Sequence, residues 1–315
     1  MRRSPLPLLL VLLAGCRFGG VNDRDIRNLP GWHALAPLPF ARQETGVAAL
    51  DGRVYVVGGL ILAGPVATVE RYLPELDTWE RVAPLPEEIH HPNVAAAGNL
   101  LYVLGGLNND GAVGRTYAYD PTTDTWARRS TMPPGTERGA AGVAVVGSRI
   151  FVLGGLRGTS VADASVYDTE RDTWTSLPAL MAPRDHLVAG AVNGRVFAIG
   201  GRSNRLFSDV DEFEPVTGSW LPRTPMPTAR AGSGGAVLNN RIYVFGGEGN
   251  RADPLGLFPQ SEVYDPESDT WRELDPMPTP RHGFGGAVIL GRIYLPGGGN
   301  RQGLGAVDAH ESFVP

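Results

Sequence analysis

The stretch Val54-Tyr55-Val56-Val57-Gly58-Gly59 decides the fold, because the chain repeats this pattern six times. Each copy is an apolar run that ends in a Gly-Gly pair, and neighbouring copies lie 46 to 51 residues apart. The pairs are Gly58-Gly59, Gly105-Gly106, Gly154-Gly155, Gly200-Gly201, Gly246-Gly247 and Gly297-Gly298. The six tryptophans of the chain keep the same spacing. Self-similarity at this period is typical of a β-propeller, in which each repeat forms one blade.

The two ends of the chain predict how the ring closes. In five repeats an aromatic residue stands seven positions before a tryptophan, but Phe313 has no tryptophan after it because the chain ends at Pro315. The missing strand is found near the start, around Trp32. Because an open ring leaves unpaired strand edges, we predict that this N-terminal strand is the outer strand that completes the last blade. The sequence therefore predicts an all-β, six-bladed propeller over residues 31–315.

The strand composition agrees with a propeller. The first strand of each repeat is rich in Gly, Ala and Val, which suits the crowded axis, and the second is apolar throughout, as expected for a strand buried on both faces. The Tyr or Phe and the Trp on the outer strands are large enough to fill the space between blades, and we assign them a structural role.

The N-terminus predicts export and a lipid anchor. Two arginines open the chain, and residues 6–13 form an apolar run too short to span a bilayer. The segment Leu13-Ala14-Gly15-Cys16 resembles the bacterial lipoprotein signal, in which lipid is joined to the cysteine. We predict a signal peptide over residues 1–15, lipidation of Cys16 and a tether over residues 16–30. The protein would then be anchored to the cell envelope, at the outer membrane or cell surface, on the periplasmic or extracellular side. The alternative is an ordinary secretory signal with an incidental cysteine.

The Gly-Gly pair, an aromatic 12–17 residues later and a tryptophan seven residues after that together resemble the kelch motif. The resemblance covers residues 32–315 and implies a kelch-type propeller of the galactose oxidase-like central domain superfamily, here in a bacterial lipoprotein form. Kelch rings include protein-binding adaptors, galactose oxidase-like enzymes and a bacterial sialic acid epimerase. The fold alone therefore does not choose among functions.

One repeated position predicts a ligand-binding site at the mouth of the central channel of the propeller. Thirteen residues before the second-strand aromatic, five repeats hold an arginine, and the second repeat holds Ile89. These residues are Arg42, Arg138, Arg184, Arg230 and Arg281. The kelch resemblance implies that they line the ligand face, where they would receive carboxylates or phosphates. The alternative is that each arginine fixes its own turn through backbone carbonyls or a nearby acid.

Further candidates lie on the loops after Gly-Gly, which are expected to open on the same face as these arginines. Arg202, Glu248 and Asn300 are the candidates there, and the fifth of these loops is the longest. Asn and Asp are also common turn residues, so each polar residue taken alone is equally explained by local structure.

Two residues beyond the arginine position, three repeats hold Glu44, His91 and His186. Such a set could bind zinc or copper, or serve in acid–base chemistry. These residues come from the first, second and fourth repeats, so their convergence is not given by the pattern, and we predict no metal and no cofactor. The chain has no G-x-S-x-G elbow and no lysine, and Cys16 is its only cysteine. No catalytic motif is recognised.

The leading hypothesis is a membrane-anchored kelch protein, acting as a monomer, that binds a protein or an acidic glycan through an arginine-lined channel mouth. The net charge of −5 argues against nucleic acid as a partner. The alternative is a sugar-active enzyme that resembles sialic acid epimerase, a mutarotase. It would bind a carboxylate through Arg184, Arg230 and Arg281 and use His186 or Glu248 as base. A structural envelope protein is the second alternative.

Overall fold

Each repeat folds into one four-stranded antiparallel sheet, and the six sheets stand side by side in a closed ring. The computed structural model describes residues 29–315, so the predicted signal peptide and Cys16 lie outside the described residues. Each blade has four strands from the axis outward. Blade 1 has Gly46–Leu50, Arg53–Val57, Val69–Leu73 and Thr78–Arg81; blade 2 has Val94–Ala97, Leu100–Asn108, Gly111–Asp120 and Thr125–Arg129; and blade 3 has Gly142–Val146, Arg149–Leu153, Ala164–Asp168 and Thr173–Leu177. Blade 4 has Val188–Val192, Arg195–Ile199, Val210–Glu214 and Ser219–Arg223; blade 5 has Gly234–Leu238, Arg241–Phe245, Ser261–Asp265 and Thr270–Leu274; and blade 6 has Ala287–Ile289, Arg292–Pro296, His310–Val314 and Gly31–Ala34.

Two short hairpins complete the strands, Leu60–Ile61 with Gly64–Pro65 and Leu156–Arg157 with Thr159–Ser160. Both lie in loops that follow a Gly-Gly pair. Within residues 29–315 there is no helix that is long and apolar enough to cross a membrane.

The predicted closure of the ring is confirmed. Gly31–Ala34 pairs antiparallel with His310–Val314 and places Trp32 opposite Phe313. Their ring centroids lie 5.1 Å apart, the separation found for the aromatic–tryptophan pair of each of the other five blades. The last blade therefore has the same outer packing as the others, although its strands come from opposite ends of the chain.

Small residues on the inner strands allow the blades to approach the axis. The first strand of each blade contacts the first strand of the next, and blade 6 contacts blade 1 in the same way. A Cβ added at Gly235 would lie only 2.3 Å from Cγ1 of Val188 in the neighbouring blade. The absence of a side chain there is thus a packing requirement.

Hydrogen bonds at the outer edge link successive blades. Asp124 of blade 2 accepts bonds from the Tyr119 hydroxyl at 2.7 Å and from the backbone N–H of Ala83, which follows blade 1, at 2.8 Å. Trp126 Nε1 returns a bond to the Ala83 carbonyl at 2.9 Å. Blades 3 and 5 repeat these contacts through Asp172 and Asp269. The outer aromatics therefore hold blades together, as expected.

Candidate functional site

The five repeated arginines are buried inside their own blades. None exposes more than 1% of its surface. Arg42 shows the arrangement: Nη1 lies 2.6 Å from Glu70 Oε2, Nε donates to the Gly58 carbonyl at 2.9 Å, and Nη2 donates to the Val56 carbonyl at 3.1 Å. These contacts tie the turn before the first strand to the second and third strands. The arginines therefore do not line the mouth, and the alternative interpretation, that each fixes its own turn, describes their contacts.

Each arginine has a partner at one fixed position, two residues before the third-strand aromatic. Arg42, Arg184, Arg230 and Arg281 pair there with Glu70, Asp211, Glu262 and Glu311. In blade 3 the partner of Arg138 is the Ser165 hydroxyl, at 2.6 Å, and burial lowers the pKa of this arginine to about 10. Blade 2, which has Ile89 in place of the arginine, has Tyr117 in place of the acid. The arginine and the acid are thus one structural unit, and this paired pattern was the signal that the sequence prediction of an arginine-lined mouth did not use.

Two residues beyond the arginine position, one residue from each blade forms a closed ring of backbone hydrogen bonds. Each N–H donates to the carbonyl of the equivalent residue in the preceding blade, at 2.6–3.0 Å. The six residues are Glu44, His91, Ala140, His186, Gly232 and Gly283, and all have φ between 50° and 67°. We call this set the mouth ring. Such left-handed angles are unusual for residues other than glycine, so the blades impose them.

The mouth ring brings together the three residues whose convergence the sequence left open. Glu44 Oε2 lies 3.0 Å from His91 Nε2 and 3.6 Å from His186 Nε2, and the two Nε2 atoms are 3.0 Å apart. Glu44 and His186 are buried and His91 is partly exposed. The three side chains line a cavity of about 100 Å³ at this end of the channel.

Charged neighbours hold His186 from its other side. Asp185 Oδ1 lies 2.5 Å from His186 Nδ1, and Arg202 Nε donates to the same carboxylate oxygen at 3.3 Å. Arg202 also bonds to Glu248, while the Ser160 hydroxyl donates to Asp185. This network fixes the ring of His186 so that Nε2 faces Glu44.

Two more histidines border the group. His90 Nδ1 and His91 Nδ1 are 2.5 Å apart, and His282 Nδ1 lies 3.4 Å from Glu44 Oε1 and 3.6 Å from Glu248 Oε1. Four of the six histidines of the chain therefore meet at one end of the channel.

The electrostatic environment separates the protonation states of this group. Burial alone would raise the pKa of Glu44, but the charge of His91 and the neighbouring imidazoles of His186 and His282 hold it well below its usual range. Burial would lower the pKa of His186, yet its hydrogen bond to Asp185 and the nearby Glu44 carboxylate raise it to about 9. Burial, together with the neighbouring His91, lowers the pKa of His90 to about 4.

Four of the ten sequence candidates thus meet at the mouth: His91, His186, Arg202 and Glu248. Asn300 lies apart from them, exposed in the loop of blade 6. Asp185 and His282, which occupy the position between the arginine and the mouth ring, are not among the candidates predicted from the sequence. That position faces the loop after Gly-Gly, since Asp185 bridges to Arg202 and His282 to Gly299. The available signal was a second polar residue directly after the repeated arginine, as in Arg184-Asp185 and Arg281-His282.

Comparison with known families agrees with the geometry of the ring. The KLHDC2/KLHL20/DRC7 kelch-repeats domain matches residues 73–201 and 156–310, and the kelch motif matches residues 41–86. The chain belongs to the kelch-repeat family.

Relatives of this kelch chain differ in how much of it they match. It is 34% identical to the kelch-like protein terF of Aspergillus terreus over 296 residues, which are 90% of this chain and 55% of the relative. A 39-residue segment is 51% identical to the influenza virus NS1A-binding protein homolog of Mus musculus and 49% identical to homolog B of Danio rerio. That segment is 12% of this chain and 6% of each relative. The chain thus spans about half the length of the first relative and a small part of the other two.

A groove adjoins the mouth on the same face of the kelch ring, which we call the loop face because it carries the loops after Gly-Gly. The groove has a volume of about 720 Å³ and lies between the loops of blades 3 and 4. Leu156, Ala182, Pro183 and Phe207 contribute apolar surface, and Ser160, Ser203, Asn204 and Arg205 contribute polar groups. The Arg205 guanidinium lies 3.8 Å from the centre of the Phe207 ring. The groove thus combines an apolar surface with a cation at its rim.

Proposed function

We propose that this kelch propeller is an exported, lipid-anchored binding protein that holds a segment of a partner protein in the groove between blades 3 and 4. The observation that carries the proposal is the groove itself, which is open on the loop face and offers apolar and polar contacts side by side. Protein interfaces favour this combination, with apolar contacts at the centre, hydrogen-bonding groups around them and arginine enriched at the contact.

The groove selects for a particular chemistry. Arg205 is exposed at its rim, and the partly exposed Arg157 lies on the hairpin beside it. The carboxylates that these arginines contact, Asp163 and Asp209, are themselves open to solvent, so a ligand can compete for the guanidinium groups. The occupant we propose is an extended peptide segment that pairs an acidic side chain with an apolar one.

The geometry favours a protein over an acidic sugar. Arg184, Arg230 and Arg281, which the epimerase alternative requires for a substrate carboxylate, are committed to carboxylates of their own blades. The mouth cavity of about 100 Å³ is also well below the roughly 300 Å³ at which small-molecule sites begin. The sugar-active alternative therefore lacks free arginines to bind a substrate carboxylate and a cavity large enough for a sugar.

The names of two relatives support a protein as the ligand, because they describe the binding of a viral protein. Protein binding is also what kelch domains commonly do. Export and anchoring are proposed from the sequence around Cys16, and they would put the groove on an exported surface.

Site-specific photo-crosslinking in living cells tests the proposal. A benzophenone amino acid replaces Asn204 at the groove in one variant and Val216 in the other. Val216 is 92% exposed and lies in the turn between the third and fourth strands of the same blade, on the opposite face of the ring. We expect a defined protein adduct from position 204, its loss when Arg205→Ala is added, and none from position 216.

Equal adducts from both positions, or no adduct from position 204, would refute binding at the groove and favour the structural envelope alternative. Anchoring is tested separately by feeding the same cells an alkyne-labelled fatty acid. The full chain should take up the label and Cys16→Ser should not, whereas labelling of both chains or of neither would contradict a lipid anchor at this residue.

A further inference from the structure

The Glu44, His91 and His186 side chains carry an inference that is independent of the partner groove. They occupy equivalent positions of three blades, and each accepts a left-handed backbone that is unfavourable for a residue with a Cβ. The other three blades fill the same position with Ala140, Gly232 and Gly283. The fold therefore does not require a functional side chain there, and three blades supply one at a backbone cost.

We propose that Glu44, His91 and His186 bind one divalent transition-metal ion at the end of the channel. Their nearest oxygen and nitrogen atoms are separated by 3.0, 3.0 and 3.6 Å. Ligand atoms at about 2.1 Å from one ion, with angles of 90–109° between them, lie roughly 3.0–3.4 Å apart. Two of the three separations fall within this range, and the Glu44–His186 separation exceeds it by 0.2 Å, so a small movement of one side chain gives the spacing of one face of a coordination polyhedron.

The chemistry of the donors matches that of a transition ion. Two imidazoles and one carboxylate suit zinc, cobalt and iron better than magnesium or calcium, which prefer oxygen ligands throughout. Both histidines present Nε2, so each Nδ1 is free to be held by a neighbour. Three protein ligands leave a further position open toward the cavity of about 100 Å³, which has room for water but not for a sugar.

The surroundings are those of a supported metal site. Asp185 holds His186 Nδ1 at 2.5 Å, the carboxylate–histidine arrangement that orients metal ligands and strengthens them as donors. Gly283 leaves the space in which the Glu44 carboxylate lies, because a Cβ there would come within 2.5 Å of Oε1. The buried Thr45 hydroxyl lines the same cavity and has no hydrogen-bond partner among residues 29–315, so a metal-bound water would satisfy it.

Cobalt titration of the full purified chain, stripped of metal with a chelator, tests the site. We expect one Co²⁺ per chain with visible absorption, displaced by Zn²⁺. Glu44→Gln should weaken Co²⁺ binding about 100-fold or more. Asp185→Asn should weaken it about 10- to 100-fold, the range typical for a residue that orients a ligand. The matched control is His33→Gln, which removes a histidine of the outer strand of blade 6, and it should leave binding unchanged.

Failure of the wild-type chain to take up Co²⁺ or Zn²⁺, or uptake that Glu44→Gln and His91→Gln both leave intact, would overturn the site. If either variant misfolds, anomalous diffraction from wild-type crystals soaked in Co²⁺ decides the question. A peak about 2.1 Å from all three ligand atoms supports the proposal, and a peak elsewhere or none refutes it. None of these results depends on whether the groove binds a protein.

Discussion

Two sets of polar residues lie only two positions apart in the sequence, yet they have different roles. Arg42 and Glu44 illustrate the contrast in blade 1, and Arg184 and His186 in blade 4. The arginines recur in five blades and each bonds within its own blade. The residues of the mouth ring differ from blade to blade, and their side chains contact those of other blades.

This contrast shows which polar residues stabilise the scaffold of a repeat protein and which form a site. A contact that lies within one blade is needed in every blade, so its residues recur with the period of the sequence. A site at the axis is formed once by several blades, so its residues break the period. In this kelch ring, repetition of a charged residue therefore indicates structure, and departure from the repeat at the mouth indicates a site.

The largest effect is expected from breaking a repeated arginine. Arg230→Met leaves Glu262 buried without a compensating charge, and the free energy of unfolding should fall by about 3–5 kcal/mol. Arg138→Met is the matched comparison, because its partner is the Ser165 hydroxyl and no carboxylate is stranded. Its loss should be smaller. Urea unfolding followed by tryptophan fluorescence measures both.

The double variant Arg230→Met/Glu262→Leu serves as the control, since it removes the stranded charge together with the arginine. It should recover much of the stability lost by the single variant. If Arg138→Met proved as destabilising as Arg230→Met, the ion pair would not be the stabilising element, and the scaffold side of the comparison would need revision.

A smaller effect separates the two glycines of the mouth ring. Gly283 and Gly232 have φ of +63° and +67°, so an alanine at either costs about 1–2 kcal/mol of stability. The added Cβ at Gly283 would lie 2.5 Å from Glu44 Oε1, whereas that at Gly232 has nothing nearer than 3.4 Å. Gly283→Ala should therefore lose at least as much stability as Gly232→Ala, and only Gly283→Ala should displace the carboxylate and weaken Co²⁺ binding. Equal Co²⁺ affinities in the two variants would show that the position of Glu44 does not control the site.

The fold was predictable because its determinants recur. Six Gly-Gly pairs and six tryptophans set the blade number, and the missing partner of Phe313 placed Trp32 in the last blade. The site was harder to predict from the sequence, because its residues do not recur. Glu44, His91 and His186 are each single departures from a repeat, and only the closed ring of mouth hydrogen bonds brings blades 1, 2 and 4 to one point. The prediction of an arginine-lined mouth rests on the repeated arginines alone, without the acids that pair with them. Glu70, Asp211, Glu262 and Glu311 occur at one repeated position, and reading that position with the arginines predicts buried pairs.

His310 tests whether a departure from the repeat must be a site, because it breaks the pattern in the third strand of blade 6 and not in the mouth ring. The equivalent third-strand position holds Val69, Thr116, Ala164, Val210 or Ser261 in the other blades. His310 is buried where blade 6 meets blade 1, and its ring centroid lies 4.6 Å from that of Tyr72. We assign it to packing at the closure of the ring.

Protonation of His310 should therefore oppose folding. Burial, aided by the positive charge of Arg281, lowers its pKa to about 3, although the Ala36 carbonyl and Asp77 act in the opposite direction. Between pH 6.5 and about 3, the unfolded chain binds a proton here that the folded chain does not. The free energy of unfolding should then fall by about 1.4 kcal/mol for each pH unit below 6.5. In His310→Gln this contribution is absent, so stability between pH 6.5 and 4.5 should decrease less steeply than in the wild type. Urea unfolding at a series of pH values gives the two slopes, and identical slopes for the wild type and His310→Gln would show that the ring closure accepts a charged histidine.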